Sequence, residues 1–312
     1  MIEIKVVGHK IPDTDCTLAA IIFADFLNRK KIYSATPYIQ GKLNKETEYL
    51  LKLLDIATPE IKNSFPANTK VALVDHNEDF QTLENIKELE VEYIIDHHKI
   101  DFASSAPLNI RMEPICSTCS ILYKMYKEAG FEIDKKIGTM MLAGILSDSL
   151  LFKSATTTKV DVEIAEKLKE ITGITDLEAF ALPMFDAKSD LGDMDPIDLI
   201  KYDYKEFDFS GKKAGVGTLE TTNPNYALGR KDEILKAMQT IKDSDKLDFI
   251  FLSIVDIIGE KNISIVLDGD DSKVASEVFG AEVKDNLIDL KRRLSRKKQV
   301  VPDLTEYFLK NN

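Results

Sequence analysis

The stretch Val91-Glu92-Tyr93-Ile94-Ile95-Asp96-His97-His98 decides the fold. Its first part is apolar and β-branched and predicts a buried strand, and acidic and imidazole side chains follow where that strand ends. The runs 4–9 and 71–76 repeat this arrangement and end in Gly8-His9 and Asp75-His76. Because helical patterns separate the three runs, they predict strands of one parallel sheet. All four histidines of the chain therefore lie at strand ends.

The alternation of strands and helices predicts an α/β fold for the first part of the chain. A parallel sheet binds ligands in the crevice beyond the carboxyl ends of its strands, so three strand ends would bring imidazoles and carboxylates to one edge. Strands are predicted at 1–7, 35–39, 70–74 and 91–95. Helices are predicted at 17–27, 46–54, 81–89, 118–129, 136–151, 159–171 and 177–186.

A segment of Gly, Pro and polar residues at 188–196 predicts a domain boundary. We expect a metal-binding domain at 1–188, a linker at 189–195 and a substrate-binding domain at 196–312. Two hairpins are predicted in the last of these, at 203–209 with 214–220 and at 249–257 with 263–267. The expected architecture is a parallel-sheet N-terminal domain with flanking helices plus a smaller α+β C-terminal domain whose helices cover one face. The active site is expected in the cleft between the domains.

Composition restricts the classes of partner. No apolar run has membrane-spanning length and no signal peptide precedes the first strand, so we expect a cytoplasmic protein without a membrane partner. The 53 acidic and 41 basic side chains give a net charge of −12, which argues against a nucleic-acid partner. The cysteines Cys16, Cys116 and Cys119 are odd in number, which is unlike a disulfide framework.

Candidate metal ligands occur in His9-x-x-x-Asp13-x-Asp15, at the turn between the first strand and the first helix. Aspartates are common helix caps, so this motif alone is equally typical of a solvated helix start. However, two like charges so close together call for a neutralising cation. Asp75 follows the next apolar strand, where a polar turn is the alternative, and it could bridge two metal ions.

The pair His97-His98 is a stronger signal, since two of only four histidines are adjacent. One imidazole could bind a metal while the other meets a substrate, and Asp96 could orient them. Asp148 lies near the end of an otherwise apolar helix, so it must reach solvent, pair or bind a metal. These donors are imidazoles and carboxylates, which suit Mn²⁺, Fe²⁺, Co²⁺ or Mg²⁺ at least as well as Zn²⁺.

The strongest basic run is Leu290-Lys291-Arg292-Arg293-Leu294-Ser295-Arg296-Lys297-Lys298-Gln299. It is typical either of a solvated helix end or of a phosphate clamp, because Arg binds phosphate oxygens bidentately and Lys binds them as a point charge. Two metal ions facing these cations would suit hydrolysis of a phosphoanhydride or phosphodiester. In such a site a water or hydroxide that bridges the metals attacks phosphorus.

Five motifs in order resemble those of the family II, manganese-dependent inorganic pyrophosphatases of the DHH phosphoesterase superfamily. They are Gly8-His9-x-x-Pro12-Asp13-Thr14-Asp15, Asp75-His76-Asn77-Glu78, Asp96-His97-His98, Ser147-Asp148-Ser149 and Ser295-Arg296-Lys297-Lys298-Gln299. The resemblance covers essentially the whole chain. It implies that His9, Asp13 and Asp75 bind one metal ion and that Asp15, Asp75, His97 and Asp148 bind the other. It also implies that the substrate is held by His98, Lys205, Arg296 and Lys297.

The resemblance further implies two Mn²⁺ or Co²⁺ ions per subunit, Mg²⁺ that arrives with pyrophosphate, and a homodimer formed through the N-terminal domain. Pyrophosphate would be hydrolysed to two phosphates. Cys16 departs from the family, which often has Ser there, and it could make activity sensitive to oxidation. The chain has no room for the nucleotide-sensing CBS insertion of some relatives.

Two alternatives stay open at this point. An exopolyphosphatase or small-nucleotide phosphodiesterase of the same superfamily would use the same ligands, although the Gly-Gly-Gly-His segment of the oligonucleotide-cleaving relatives is absent. A non-catalytic metal-binding or redox module would instead depend on the Cys116-x-x-Cys119 pair. Replacing both cysteines would separate that module from an enzyme.

Overall fold

The computed structural model describes residues 1–311. The chain forms two compact units, an N-terminal unit of Met1–Lys188 and a C-terminal unit that begins at Ser189. Each unit has its own sheet and is described by itself.

The N-terminal unit contains a six-stranded sheet in the order β3-β2-β1-β4-β5-β6, and every pair of neighbouring strands is parallel. Its strands are β1 Ile2–Val7, β2 Tyr33–Ile39, β3 Glu60–Ile61, β4 Lys70–Val74, β5 Glu90–Asp96 and β6 Asn109–Met112. Its helices are α1 Thr14–Arg29, α2 Lys45–Leu53, α3 Thr118–Glu128, α4 Lys135–Ser149, α5 Lys159–Thr172 and α6 Leu177–Ser189.

Strands β1, β4 and β5 are neighbours, as the sequence predicted, and their carboxyl ends meet at one edge. Val7 pairs with Leu73 and Val74 pairs with Ile95. The strands are continuous apolar runs because both faces of the sheet are covered. One face packs on a cluster that includes Leu73, Leu83 and Ile86, while helix α1 packs against α3 and α4. The residues that follow these strands are thereby held side by side.

The predicted helix at 81–89 was wrong. The segment contains two short 3₁₀ turns, Asp79–Gln81 and Ile86–Glu88. Between them, the Asn85 side chain bonds the backbone of Phe65 in both directions, accepting from its N–H and donating to its carbonyl. These tertiary hydrogen bonds, together with burial of Leu83, hold the segment in an irregular path that sequence periodicity does not reveal.

The C-terminal unit contains a mixed five-stranded sheet in the order β11-β10-β9-β8-β7, in which only β8 and β9 are parallel. Its strands are β7 Tyr204–Phe209, β8 Lys212–Thr221, β9 Phe249–Asp256, β10 Lys261–Val266 and β11 Leu287–Lys291. Its helices are α7 Pro196–Lys201, α8 Asn225–Leu228, α9 Lys231–Ser244, α10 Asp270–Phe279 and α11 Val301–Lys310, with a π-helical turn at Arg296–Val300. Both predicted hairpins are present.

Helices cover both faces of this second sheet, so the prediction of one covered face was wrong. Alternate residues of β9 pack on opposite sides, with Ile250 and Leu252 against α7 and α9 and with Phe249 and Phe251 against α10 and α11. The physical reason is the continuous apolar run of β9, which needs burial on both sides. Within residues 1–311, no helix combines the length and the apolar character needed to cross a membrane.

Candidate metal centre

The start of helix α1 positions two carboxylates at the edge of the first sheet. Asp13 is the N-cap of α1, and its Oδ1 accepts the backbone N–H of Cys16 at 2.9 Å. Asp15 lies in the first turn and is fully buried. Strand β1 delivers His9 to the same turn. The sequence motif is therefore a helix cap, but one whose carboxylates face other titratable groups.

The first group of donors consists of His9, Asp13 and Asp75, with Cys16 beside them. The Nε2 atom of His9 lies 3.5 Å from Asp13 Oδ2 and 3.5 Å from Asp75 Oδ2. Donor atoms of all four residues lie within 4.8 Å of one another. The Cys16 thiol accepts the His9 backbone N–H at 3.0 Å, and burial raises the pKa of that thiol to about 12.

The second group consists of Asp15, His97 and Asp148, whose donor atoms also lie within 4.8 Å of one another. The Nε2 atom of His97 is 3.7 Å from Asp148 Oδ2 and 3.3 Å from Asp75 Oδ1. Asp75 therefore faces an imidazole of each group, and its side chain is only 2% exposed. Its backbone has a φ of 62°, a left-handed conformation that is strained for most residues and is often found at functional sites.

The orientation of the His97 ring is fixed by a backbone carbonyl. Its Nδ1 lies 3.0 Å from the carbonyl oxygen of Ile115, so Nδ1–H donates there and, in the neutral ring, Nε2 has the free lone pair. Nε2 is buried and makes no hydrogen bond to the described residues. An imidazole that is fixed by a hydrogen bond at Nδ1, and whose Nε2 lies between carboxylates, fits a divalent cation that prefers nitrogen and oxygen donors.

The pKa values show how strongly the donors interact. Burial opposes protonation of His97, but Asp75 and Asp15 outweigh it and raise its pKa to about 9. Burial together with the charge of Asp75 raises the pKa of Asp15 to about 6. Burial and the neighbouring carboxylates raise the pKa of Asp148 well above its usual range. A cluster with this excess of buried negative charge needs a positive charge, which protons or divalent cations can supply.

Helix α3 supports this centre, a role that its residue pattern did not predict. The backbone N–H groups of Thr118 and Cys119 and the hydroxyl of Ser117 all donate to the Asp15 carboxylate, at 2.7, 3.1 and 2.7 Å. The Thr118 hydroxyl donates to Asp75 Oδ1 at 2.8 Å. A helix N-terminus favours a carboxylate, so α3 fixes Asp15 and offsets part of the rise in its pKa. The Ser-Thr pair at the helix start was the signal that could have revealed this.

Gly144 of helix α4 has a role in this centre that its sequence context did not predict. A Cβ at this position would lie 2.6 Å from Asp15 Oδ1 and 2.5 Å from the sulfur of Cys119. Only glycine lets α4 come this close to the buried carboxylate.

His98 and Asp96 form a pair at the end of β5. The Nδ1 of His98 lies 2.9 Å from Asp96 Oδ1, which also accepts the backbone N–H groups of His97 and His98. Asn77 donates to the other oxygen of Asp96 at 2.7 Å. The hydrogen bond that His98 donates to Asp96 raises the pKa of His98, and the ring is 48% exposed. His76 differs, because it is buried and belongs to neither group of donors.

The predicted substrate cations Lys205, Arg296 and Lys297 all lie in the C-terminal unit. Lys205 is on β7 opposite Val216 of β8, and both lysines are exposed. Arg296 begins the π-helical turn and reaches the same place, since its guanidinium donates to the carbonyls of Asp203 and Val216 at 2.6 and 3.3 Å. It also pairs with the Asp203 carboxylate at 2.7 Å. The Arg296 guanidinium therefore contacts the carbonyl of Val216, the residue that pairs with Lys205.

Both units match known protein families. Residues 3–145 match the model of the DHH family N-terminal domain, and residues 182–307 match the DHHA2 domain. The chain is 43% identical to a probable manganese-dependent inorganic pyrophosphatase of Deinococcus radiodurans, covering 98% of each chain. It is 40% identical to the manganese-dependent inorganic pyrophosphatase of Methanothrix thermoacetophila, covering 99% of each.

A crystal structure from Methanococcus jannaschii, assigned to the family II inorganic pyrophosphatases, matches with a TM-score of 0.62 and 34% identity. The match covers 98% of this chain and 99% of that one. The similarity therefore extends over both units and is well above the level at which only the fold is shared. The chain belongs to the family II, manganese-dependent inorganic pyrophosphatases of the DHH phosphoesterase superfamily.

Proposed function

We propose that this protein is a hydrolase that converts inorganic pyrophosphate to two phosphates with the help of bound divalent cations. One observation carries the proposal. A chain that is similar over its full length to manganese-dependent inorganic pyrophosphatases gathers His9, His97 and four aspartates at one sheet edge. Hydrolysis of the phosphoanhydride is the activity that such a donor set supports best.

For the ligands, we propose that His9, Asp13 and Asp75 bind one Mn²⁺ ion. Asp15, His97 and Asp148 would bind the other, with Asp75 shared between them. The 3.5 Å and 3.3 Å separations of Asp75 from His9 and His97 support the sharing, as does the hydrogen-bond-free Nε2 of His97. Oxygen and imidazole donors suit Mn²⁺ and also Co²⁺. We further propose that Mg²⁺ enters with the substrate.

Divalent cations bound here would lower the pKa of a coordinated water and offset charge on phosphate oxygens. The residues of the chain would position the metal ligands and bind the substrate. Helix α3 and Gly144 fix Asp15, and the Ile115 carbonyl fixes the tautomer of His97. Since Asp96 holds Nδ1 of His98, the opposite nitrogen is free to donate a hydrogen bond to a phosphate oxygen, and the raised pKa of His98 favours the protonated ring.

We propose that Lys205, Arg296 and Lys297 bind the remaining phosphate oxygens. Arg296 is preorganised by Asp203, which restricts its guanidinium to one orientation. The two exposed lysines would supply charge without fixed geometry. In this assignment residues 1–188 form the metal-binding domain, 189–195 a linker and 196–312 the substrate-binding domain.

We also propose a cytoplasmic homodimer joined through the N-terminal domain. Sedimentation of the purified protein would test the oligomeric state independently of activity.

The decisive experiment measures phosphate release from pyrophosphate by chelator-stripped protein to which Mn²⁺, Co²⁺ or Mg²⁺ is returned. Long polyphosphate and a dinucleotide serve as competing substrates. We expect fast turnover of pyrophosphate alone, restored best by Mn²⁺. Preference for polyphosphate or the dinucleotide would overturn the proposed substrate while leaving the ligand assignment in place.

A further inference from the structure

A buried carboxylate that belongs to neither group of donors lies on helix α2. Glu46 is 0% exposed, and its Oε2 accepts hydrogen bonds from Thr14 Oγ1 and Ser147 Oγ, both at 2.9 Å. Lys188 Nζ lies 3.3 Å from the same oxygen. The other oxygen, Oε1, is buried without a hydrogen-bond partner among the described residues. Burial of a carboxylate in this way costs free energy, so its presence needs an explanation.

Both hydroxyl partners adjoin proposed metal ligands. Thr14 lies between Asp13 and Asp15 at the start of α1. Ser147 directly precedes Asp148 in the last turn of α4. These two segments are far apart in sequence, yet one oxygen of Glu46 joins them.

Glu46 is itself held in place. Asn44 caps helix α2 by accepting the backbone N–H of Thr47 at 2.8 Å and its hydroxyl at 2.9 Å. The Thr47 hydroxyl in turn lies 3.0 Å from that of Thr14. Thr14 and Thr47 are fully buried, so the hydroxyl network has little freedom to rearrange.

We propose that Glu46 is a positioning residue for both cation sites. By binding Thr14 and Ser147, its carboxylate sets the separation between the segments that carry Asp13 and Asp15 and the segment that carries Asp148. This inference rests on the ligand assignment in the proposed function.

Lys188 Nζ, 3.3 Å from Oε2, offsets the charge of this carboxylate. The positioning role therefore rests on the hydrogen bonds to Thr14 and Ser147, which link the segments that carry the proposed ligands. Groups that orient metal ligands commonly change metal affinity by roughly 10–100-fold when they are removed.

The test is a Mn²⁺ titration of the chelator-stripped, full-length protein, in which free Mn²⁺ is followed by electron paramagnetic resonance. Glu46→Met removes both the charge and the acceptor at similar volume, and we expect it to raise the Mn²⁺ dissociation constant by roughly tenfold or more. Glu46→Gln keeps an acceptor oxygen, so it should retain part of the Mn²⁺ affinity that Glu46→Met loses. At saturating Mn²⁺, the turnover of Glu46→Gln should be closer to that of the parent protein than the turnover of Glu46→Met.

Tyr126→Phe is the matched control for lost stability. The Tyr126 hydroxyl is buried and donates to Ile22 and Asp25 in the C-terminal half of α1, away from the donor groups. If Glu46→Met binds Mn²⁺ as tightly as the parent, or loses no more affinity than Tyr126→Phe at a comparable melting temperature, the positioning role is wrong.

If Glu46→Met does not fold, Thr14→Val and Ser147→Ala provide the second test. Each should weaken Mn²⁺ binding, and Glu46→Gln should have a smaller effect in the Ser147→Ala background than alone, because the partner is already lost. Parent-like affinity in both single variants would overturn the inference. The titration uses no pyrophosphate, so a protein that binds Mn²⁺ as expected but fails to hydrolyse pyrophosphate would contradict only the proposed function.

Discussion

The candidate metal ligands of the N-terminal unit and the candidate phosphate-binding residues of the C-terminal unit are built differently. Asp15 and Asp75 are buried and hydrogen-bonded to helix α3, whereas Lys205 and Lys297 are exposed on a strand and a helical turn. A cation site needs donors at fixed separations, while long cationic side chains can follow a phosphate group through several positions. Changes in the first set should therefore alter metal binding, and changes in the second should alter substrate binding alone.

The largest effect is expected from Asp75→Asn. Asn tolerates positive φ, so the change removes the shared charge with little backbone strain. We expect turnover to fall by about 1000-fold or more, because several kcal/mol of charge stabilisation is lost and each 1.4 kcal/mol is tenfold. Metal content after dialysis, measured by elemental analysis, should fall as well. Full metal content with near-normal turnover would refute the shared-ligand assignment.

The next effect concerns pH. In the chelator-stripped protein the pKa of His97 is raised to about 9, so protons compete with Mn²⁺ at neutral pH. Affinity should therefore increase as pH rises, by about tenfold per pH unit for each proton released. Burial opposes protonation of His9, but Asp13 and Asp75 raise the pKa of His9 further than that of His97, so the dependence should continue above the His97 pKa. Below about pH 6, protonation of Asp15 should steepen the dependence. Calorimetry in buffers of different ionisation enthalpy measures the protons released, and a pH-independent affinity would contradict the prediction.

A smaller effect is expected from Arg296→Ala, which should raise the KM for pyrophosphate while leaving metal content unchanged. Loss of charged hydrogen bonds worth about 1.5–3 kcal/mol corresponds to roughly 10–100-fold in kcat/KM. Arg292→Ala is the matched control in the same basic run, since Arg292 is exposed and pairs with Glu260. Loss of metal from Arg296→Ala would mean that the two sets of residues are not separable in the way proposed.

The smallest effect is expected from the double change Cys116→Ala and Cys119→Ala. Both thiols are buried and free. Cys119 contacts Asp15 by donating its backbone N–H, and alanine keeps that donor. Stability should fall by about 1 kcal/mol per site, as for other small core truncations, while phosphate release persists. Loss of turnover in a correctly folded variant with normal metal content would contradict this expectation and support the redox-module alternative.

Much of the fold could be predicted from periodicity. The apolar runs of β1, β4 and β5 and the helices at 118–129 and 159–171 follow directly from residue patterns. The errors have physical causes. The segment 81–89 is held by the side chain of Asn85, a tertiary interaction, and the short strands Asn109–Met112 and Leu287–Lys291 become strands by pairing with neighbours rather than by pattern.

The candidate site shows the same division. His9, Asp75 and His97 could be proposed from sequence because strand ends of a parallel sheet must share an edge. Residues that only orient these donors cannot be recognised from the residue pattern. Ser117, Gly144 and Glu46 are recognised because α2, α3 and α4 bring them against the carboxylates.

By itself, the sequence determined that this is an α/β chain with imidazole and carboxylate donors after its strands, because side-chain type and spacing are local properties. Only the tertiary structure decided which donors face each other, which nitrogen of His97 carries the free lone pair, and that Asp75 adopts a left-handed backbone. It also decided that a single buried carboxylate joins two distant segments. These features depend on distances between elements, which packing sets and residue order does not.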